Sequence, residues 1–398
     1  MRILLCLLSE QHVPNLLSVH HFDPKPDRLV LVETGEMKRR RAAEHLLKAL
    51  EAGGLDYSDR CEIQTLEHED SLPEVRRALQ DAFGRHPSDE WIVNLTGGTK
   101  PMSIAAFMFF SVMDAAAIYL SGRQPNVIRW MDGSKVETCV YRPTVAEFLA
   151  GYGFPSRKPP EKVAEAEERA RGWWALARVL AARSTAESLI CFEDERERSK
   201  ARDRGFALEH RHLEPRTLAV PDILRSIVEH FDLIEQDSVP TGKLDRYQTQ
   251  FLLGGWLEVF IWGLLDRHHA ALDIWDVRLG LEPTSPDAQV GNDFDVAFMH
   301  RYRLWMVECK TGSQEHDPGG DILYKVEAVI RQFRALHVRT SLATTSDFLT
   351  DPRTGTIREG HRNRASAYGC ALVTRDQVRA MAEADDPVEL LREALGLR

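Results

Sequence analysis

The chain has 398 residues, 43% of them hydrophobic and 28% charged, with a formal net charge of −10. That length exceeds one ordinary core and that apolar content excludes a disordered chain, so two or three globular domains are expected. The acidic balance excludes a broadly basic nucleic-acid coat, and the six scattered cysteines exclude a zinc or disulfide framework.

The apolar opening Ile3–Leu8 is too short to cross a membrane and lacks a signal-peptide cleavage pattern, so it is read as a buried first strand of a cytoplasmic protein with reduced thiols. Further strand signals fall at Arg28–Thr34, Glu62–Leu66, Trp91–Leu95 and Ala117–Leu120. Helix-like segments alternate with them at about Gln11–Val19, Glu36–Ala52, Pro73–Phe83 and Pro101–Asp114. This order predicts an α/β domain over residues 1–150, with a mainly parallel sheet closed by a hairpin around Asp132-Gly133. Met102–Ala117 is apolar nearly all round, which predicts a buried helix.

Between the fourth strand and that helix stands Thr96-Gly97-Gly98-Thr99-Lys100-Pro101-Met102. Ligands of open α/β sheets bind beyond the carboxyl ends of strands. Two glycines bring backbone N–H groups close to an anion, the helix start adds positive potential, and Lys100 adds a cation. The spacing matches neither G-x-x-x-x-G-K nor G-x-G-x-x-G, so an ordinary nucleotide or dinucleotide site is not supported. Ser9, Glu10, Gln11 and Thr34 also follow strand ends and line the same crevice. A tight turn that merely needs glycine is the competing reading.

Pro155–Pro160 is a linker-like break, and Glu161–Arg171 a charged, solvated helix. Residues 151–245 form an α-rich connector with strand fragments and no evident chemistry. From 246 a third unit opens with an apolar helix, Gln250–Leu265. Two strand-like runs follow, Asp293-Phe-Asp295 onward and Leu304–Lys310. A hairpin closing at Arg301-Tyr302 sets Asp295 opposite Glu308 and Asp293 opposite Lys310, about 5 Å apart. Carboxylates that close repel unless a cation lies between them, and oxygen ligands suit Mg²⁺ or Mn²⁺. A structural salt bridge is the plain alternative. A helix near Ile322–Ala335 and strands at Thr340–Thr345 and Ala371–Thr374 complete the unit.

The two constellations together resemble one family. Leu95-Thr-Gly-Gly-Thr-Lys-Pro-Met102 on a Rossmann-like domain is similar to a CARF domain, the sensor of cyclic oligoadenylates in type III CRISPR defence. Gly254-Gly-Trp-Leu-Glu258, Asp295 and Glu308-Cys-Lys310 resemble a PD-(D/E)xK nuclease with a restriction-endonuclease-like α/β fold over 246–398, although Phe294 replaces the proline of the family name. The pairing resembles the CRISPR ancillary nucleases activated by cyclic tetra-adenylate. The resemblance is good at both ends and weak over 151–245.

It implies that Asp295 and Glu308 bind Mn²⁺ or Mg²⁺, with the Cys309 carbonyl as a further ligand. Lys310 orients and helps deprotonate the attacking water, or neutralises developing charge, and Glu258 sits over the metal. Asp293 is a supporting group that pairs with Lys310. Ser9, Glu10, Gln11, Thr34, Thr96, Gly97, Gly98, Thr99, Lys100 and Met102 contact the activator. The implied substrate is DNA, RNA or both. A two-fold symmetric ring implies a C2 homodimer as its receptor. Two alternatives stand beside this one: a metal-independent RNase using Arg204…His210 or Arg331…His337, and a ligand-responsive regulator that binds nucleic acid without cutting.

Overall fold

The computed structural model describes residues 1–113, 115–183, 189–218, 220–236, 239–284, 294–312 and 338–397. The expected helix near Ile322–Ala335, Asp293 and the Arg331…His337 pair lie outside them. Among the described residues no helix is long and apolar enough to cross a membrane.

The N-terminal alternation folds into a seven-stranded sheet of β1 (Arg2–Leu7), β2 (Arg28–Thr34), β3 (Cys61–Leu66), β4 (Glu90–Asn94), β5 (Ala116–Ser121), β6 (Gln124–Trp130) and β7 (Val136–Thr138). The order is β3-β2-β1-β4-β5-β6-β7, parallel through β5 and antiparallel beyond it. Strand order therefore reverses between β1 and β4, which opens a crevice at their carboxyl ends. β1 and β2 are covered on both faces, and for that reason their sequences are unbroken apolar runs.

Two expectations change here. The helix expected over Glu36–Ala52 is two helices, Gly35–Arg39 and Ala42–Ala52, because Arg41 takes a left-handed φ of 56° between them. The all-apolar helix, observed as Lys100–Phe110, is buried only where it meets the sheet. Ile104, Phe107 and Met108 on it, and Val112 just after it, face outward, with Met108 64% and Val112 74% exposed.

The connector is no linker. Its long helix Pro160–Arg183 and a three-stranded sheet, β8 (Phe206–Leu208), β9 (Ile234–Gln236) and β10 (Val239–Leu244) in the order β8-β10-β9, enter the C-terminal core. Leu176, Leu180, Ile223 and Ile227 share one apolar cluster with Trp256, Phe260 and Leu264.

In the C-terminal unit, the single helix expected over Gln250–Leu265 is divided. Arg246–Gln250 leads through a π-helical turn, Phe251–Gly255, into Trp256–Leu272, with the break at Gly254, whose φ is 134°. The sheet runs β11 (Ile274–Leu281), β12 (Phe294–His300), β13 (Arg303–Lys310), β14 (Arg339–Thr344) and β15 (Cys370–Val373) in sequence order. β11, β12 and β13 are antiparallel; β13, β14 and β15 are parallel. The hairpin closes at Arg301-Tyr302, both at positive φ as a two-residue I′ turn requires. Its pairing of Val296 with Val307 is the expected register. β11 was not expected from the sequence: a bulge between Trp275 and Arg278 breaks its alternation.

The two faces of this sheet meet different neighbours. Val296, Phe298, Trp305 and Val307 pack with the helices, whereas Ala297, Met299, Leu304 and Met306 join the core of the N-terminal domain. Polar contacts reinforce that second junction: the Trp275 indole donates to the Pro143 carbonyl at 2.7 Å, and the Asp276 carboxylate accepts from the Val145 amide at 2.5 Å.

The connector and the C-terminal helix meet closely at Gly263, where a Cβ would strike the Trp174 indole. Gly263→Ala is expected to cost about 1–3 kcal/mol through overpacking, read as a lower denaturation midpoint at unchanged m-value.

Candidate nuclease site and ligand loop

β12 and β13 bring Asp295, Glu308 and Lys310 together at one end of the sheet. The Lys310 ammonium lies 2.6 Å from Glu308 Oε1 and 3.8 Å from Asp295 Oδ2. Asp295 Oδ2 also accepts the Cys309 amide at 2.6 Å, which fixes the carboxylate against the neighbouring strand. Glu258 reaches the cluster from the first turn of the Trp256–Leu272 helix. The glycine at 254 makes that approach possible, since a Cβ there would strike Thr311 Oγ1 just past Lys310.

The electrostatics show a shortage of positive charge. Burial, then the charges of Asp295 and Glu308, push the Glu258 carboxyl up to about 8 against the pull of Lys310. Burial opposes the Lys310 ammonium, yet Asp295 and Glu308 outweigh it and hold its pKa above the usual range. The Cys309 thiol is held well above its ordinary value by burial and then by Asp295, Glu258 and Glu308. Three carboxylates thus face one ammonium.

That donor set fits a hard divalent cation, being oxygen-only and negative in excess. Asp295, Glu308 and the Cys309 carbonyl are the groups that would hold it. Among the described residues no three His, Cys, Asp or Glu side chains already converge as a ready-made cage, because Lys310 stands between Glu308 and Asp295.

The cluster opens into a cleft of about 670 Å³ whose other wall carries Lys158, Arg169, Arg198 and Arg202. Lys158 donates to the Gly280 carbonyl at 2.9 Å, and the Arg169 guanidinium lies 3.9 Å from the centre of the Tyr247 ring. All four cations belong to the connector, in which the sequence reading found no chemistry. One signal was available: Arg198 and Arg202 are four apart in the Glu195–Arg204 helix, hence on one face.

At the crevice of the N-terminal sheet, Gly97 touches the end of β1, where a Cβ would strike the Leu7 carbonyl and approach Ser9 Oγ to 3.5 Å. Gly98 has φ 71°, a conformation that favours glycine. Ser9 and the glycine loop are therefore adjacent, and Lys100 is an exposed cation beside them. Glu10 is exposed and pairs with Arg40 at 2.5 Å, a cation not expected at this crevice; Gln11 is exposed next to it.

Other expected ligand contacts have structural duties. Thr96 Oγ1 accepts the Leu120 amide at 2.8 Å, leaving its hydroxyl proton to donate. Thr99 caps the following helix through the Met102 amide, and Thr34 caps Gly35–Arg39 through the Met37 amide. Met102 departs most from expectation: it is fully buried beneath Gly98, and its sulfur accepts the Thr99 amide, so it props the loop from below. Arg204 and His210 are both exposed on either side of β8, with no hydrogen bond between them among the described residues.

Comparison with known proteins gives two family matches. Residues 3–148 match the Card1 CARF domain, and residues 245–377 match the Card1-like endonuclease domain. Curated proteins give no match. Among solved structures, the chain is similar to Can2 from Sulfobacillus thermosulfidooxidans, determined with cyclic tetra-adenylate (19% identity, TM-score 0.65, 99% of each chain covered). It is also similar to a Vibrio cholerae protein (15% identity, TM-score 0.75, 100% of this chain and 98% of the other). A third is a type III CRISPR defence DNA nuclease activated by cyclic oligoadenylate (20% identity, TM-score 0.50), of which this chain covers 51% while 99% of this chain is covered. At these identities the structures establish a shared fold.

The raised Glu258 pKa has a measurable consequence. The folded chain keeps this proton up to about pH 8, whereas the unfolded chain releases it near 4.5. The metal-free protein therefore loses stability as pH climbs through that window. Glu258→Gln cannot ionise, so its melting temperature should exceed that of the unsubstituted protein by roughly several degrees above pH 8. Near pH 4.5 the two should coincide by scanning calorimetry.

Proposed function

Because this chain belongs to the CARF-domain endonucleases, we propose that it is a divalent-metal-dependent endonuclease, switched on by cyclic tetra-adenylate, that cuts DNA or RNA in type III CRISPR defence. The observation that carries this reading is the Asp295, Glu308 and Lys310 cluster with Glu258 above it, facing a basic wall across one cleft. A bound cation would polarise a phosphoryl oxygen and make a water acidic enough to attack. Lys310, held protonated by its two carboxylate neighbours, serves best as the cation that stabilises charge developing on the phosphate, not as a base. Glu258, still largely protonated at neutral pH, is placed to hold or give up a proton. Arg169, Arg198, Arg202 and Lys158 hold the flanking phosphates, which supports a polyanionic substrate for a chain of net charge −10.

The activator reading rests on the crevice between β1 and β4. Its glycine backbone, Ser9 and Lys100 suit a phosphodiester ring, and Can2 was determined with cyclic tetra-adenylate. The outward apolar row Ile104, Phe107, Met108 and Val112 follows directly from that loop. That exposed row supports a C2 homodimer, in which a second copy would cover it and bring two ligand loops to one axis.

Lys310→Ala and Glu308→Ala should each lower cleavage by about 100- to 1,000-fold with calorimetric activator affinity unchanged, and EDTA should silence the parent protein. Undiminished cleavage in either variant, or under EDTA, rejects the metal site.

Lys100→Ala should weaken activator binding about tenfold while leaving metal binding intact, measured by titration calorimetry. An unchanged dissociation constant places the activator elsewhere.

Arg198→Ala combined with Arg202→Ala should raise KM and flatten its salt dependence by about one phosphate contact per arginine, with kcat nearly constant. A loss confined to kcat would assign these arginines to the chemistry instead.

A further inference from the structure

A second cavity, of about 680 Å³, lies between the sensor and the nuclease at the opposite end of β13 from Lys310. Arg303 and Lys310 are seven residue steps apart along β13, about 23 Å, so this cavity is distinct from the catalytic cleft. Its sensor wall is the β5–β6 turn, Gly122 and Arg123, with Pro125 beyond it. Its nuclease wall includes Arg301 and Arg303 from the β12–β13 turn, and Arg339 at the start of β14.

Among the described residues no acidic side chain lines this cavity, and none of the four guanidinium groups has a carboxylate partner. In a chain with 61 acidic and 51 basic residues, four arginines around one cavity without a counter-charge repel each other unless an anion joins them. Two buried polar groups of the wall point the same way. His300 Nδ1 donates to the Asp273 carbonyl at 3.1 Å, which leaves Nε2 buried with no protein partner, and the Trp305 indole N–H is likewise unpaired. Buried polar groups are nearly always satisfied, so two on one wall indicate a missing partner.

We propose that this cavity is a second anion site, built for the phosphate groups of a nucleotide-sized ligand. Arginine is the residue suited to this, since its planar fork meets phosphate oxygens in pairs. The volume lies in the range of small-molecule pockets. Because both domains supply arginines, an occupant joins sensor to nuclease directly.

The test uses the full chain in EDTA, which stops cleavage, with pyrophosphate, AMP and a short single-stranded oligonucleotide as probes in titration calorimetry. Pyrophosphate should bind saturably, and Arg301→Ala, Arg303→Ala and Arg339→Ala should each weaken it about tenfold. Arg339→Lys should recover part of the loss. Lys100→Ala, and Arg198→Ala with Arg202→Ala, should leave it unchanged, because they lie at the activator loop and the catalytic cleft. Displacement of pyrophosphate by the oligonucleotide supports the site and identifies the substrate backbone as its occupant; displacement by AMP alone supports it and identifies a free nucleotide. Absence of pyrophosphate binding, or binding that ignores the three arginines, or that falls equally in the Lys100 or Arg198 and Arg202 variants, overturns the proposal.

Discussion

The period-two alternation of β12 and β13 is the constraint on which the rest depends. One row, Val296, Phe298, Trp305 and Val307, is committed to the helices of the nuclease body. The other, Ala297, Met299, Leu304 and Met306, is committed to the sensor core. By the same alternation Asp295, Glu308 and Lys310 continue the second row. The side chains that anchor the sensor are thus the immediate neighbours, along the same two strands, of those in the acidic cluster. Close-packed rows transmit displacement poorly as gradual deformation and well as a change between discrete arrangements. This supports a switch in which reorientation of the sensor is felt at the acidic cluster without a separate transmission element.

The connector packs as part of the nuclease. Trp174 against Gly263, and Leu176 and Leu180 in the cluster of Trp256 and Phe260, join the Pro160–Arg183 and Trp256–Leu272 helices in one core. Beside the apolar junction, Pro143, Val145 and Arg157 meet Trp275, Asp276 and Glu282 through hydrogen bonds. The same packing places cations of the Pro160–Arg183 and Glu195–Arg204 helices in one cleft with Asp295 and Lys310, the arrangement that the proposed grip on flanking phosphates requires.

Where local chemistry determines structure, the sequence was readable. β1, β2 and β4 are apolar runs because both faces are covered, and the hairpin register followed from the Arg301-Tyr302 turn and strict alternation. That Glu308 and Lys310 share one side of the sheet was legible in their two-residue spacing, whereas their ion pair was not. What escaped depends on distant partners. Thr34 and Thr99 look like ligand hydroxyls until their helices are seen to need caps, and Met102 looks like an adenine contact until the loop closes over it. The charged run around Arg198 shows no chemistry in the sequence until the fold sets it in one cleft with Glu258. The helix after the ligand loop looks like core because it is apolar all round, yet its outer side, Ile104, Phe107 and Met108, is exposed in the single chain.

Cys309 sits between two of the acids and meets a different hazard. Alkylation and peroxide oxidation both proceed through the thiolate, and here burial and three carboxylates hold the sulfur in its protonated, unreactive form. The residue nearest the chemistry that is most prone to damage is therefore shielded by the charges that define the site.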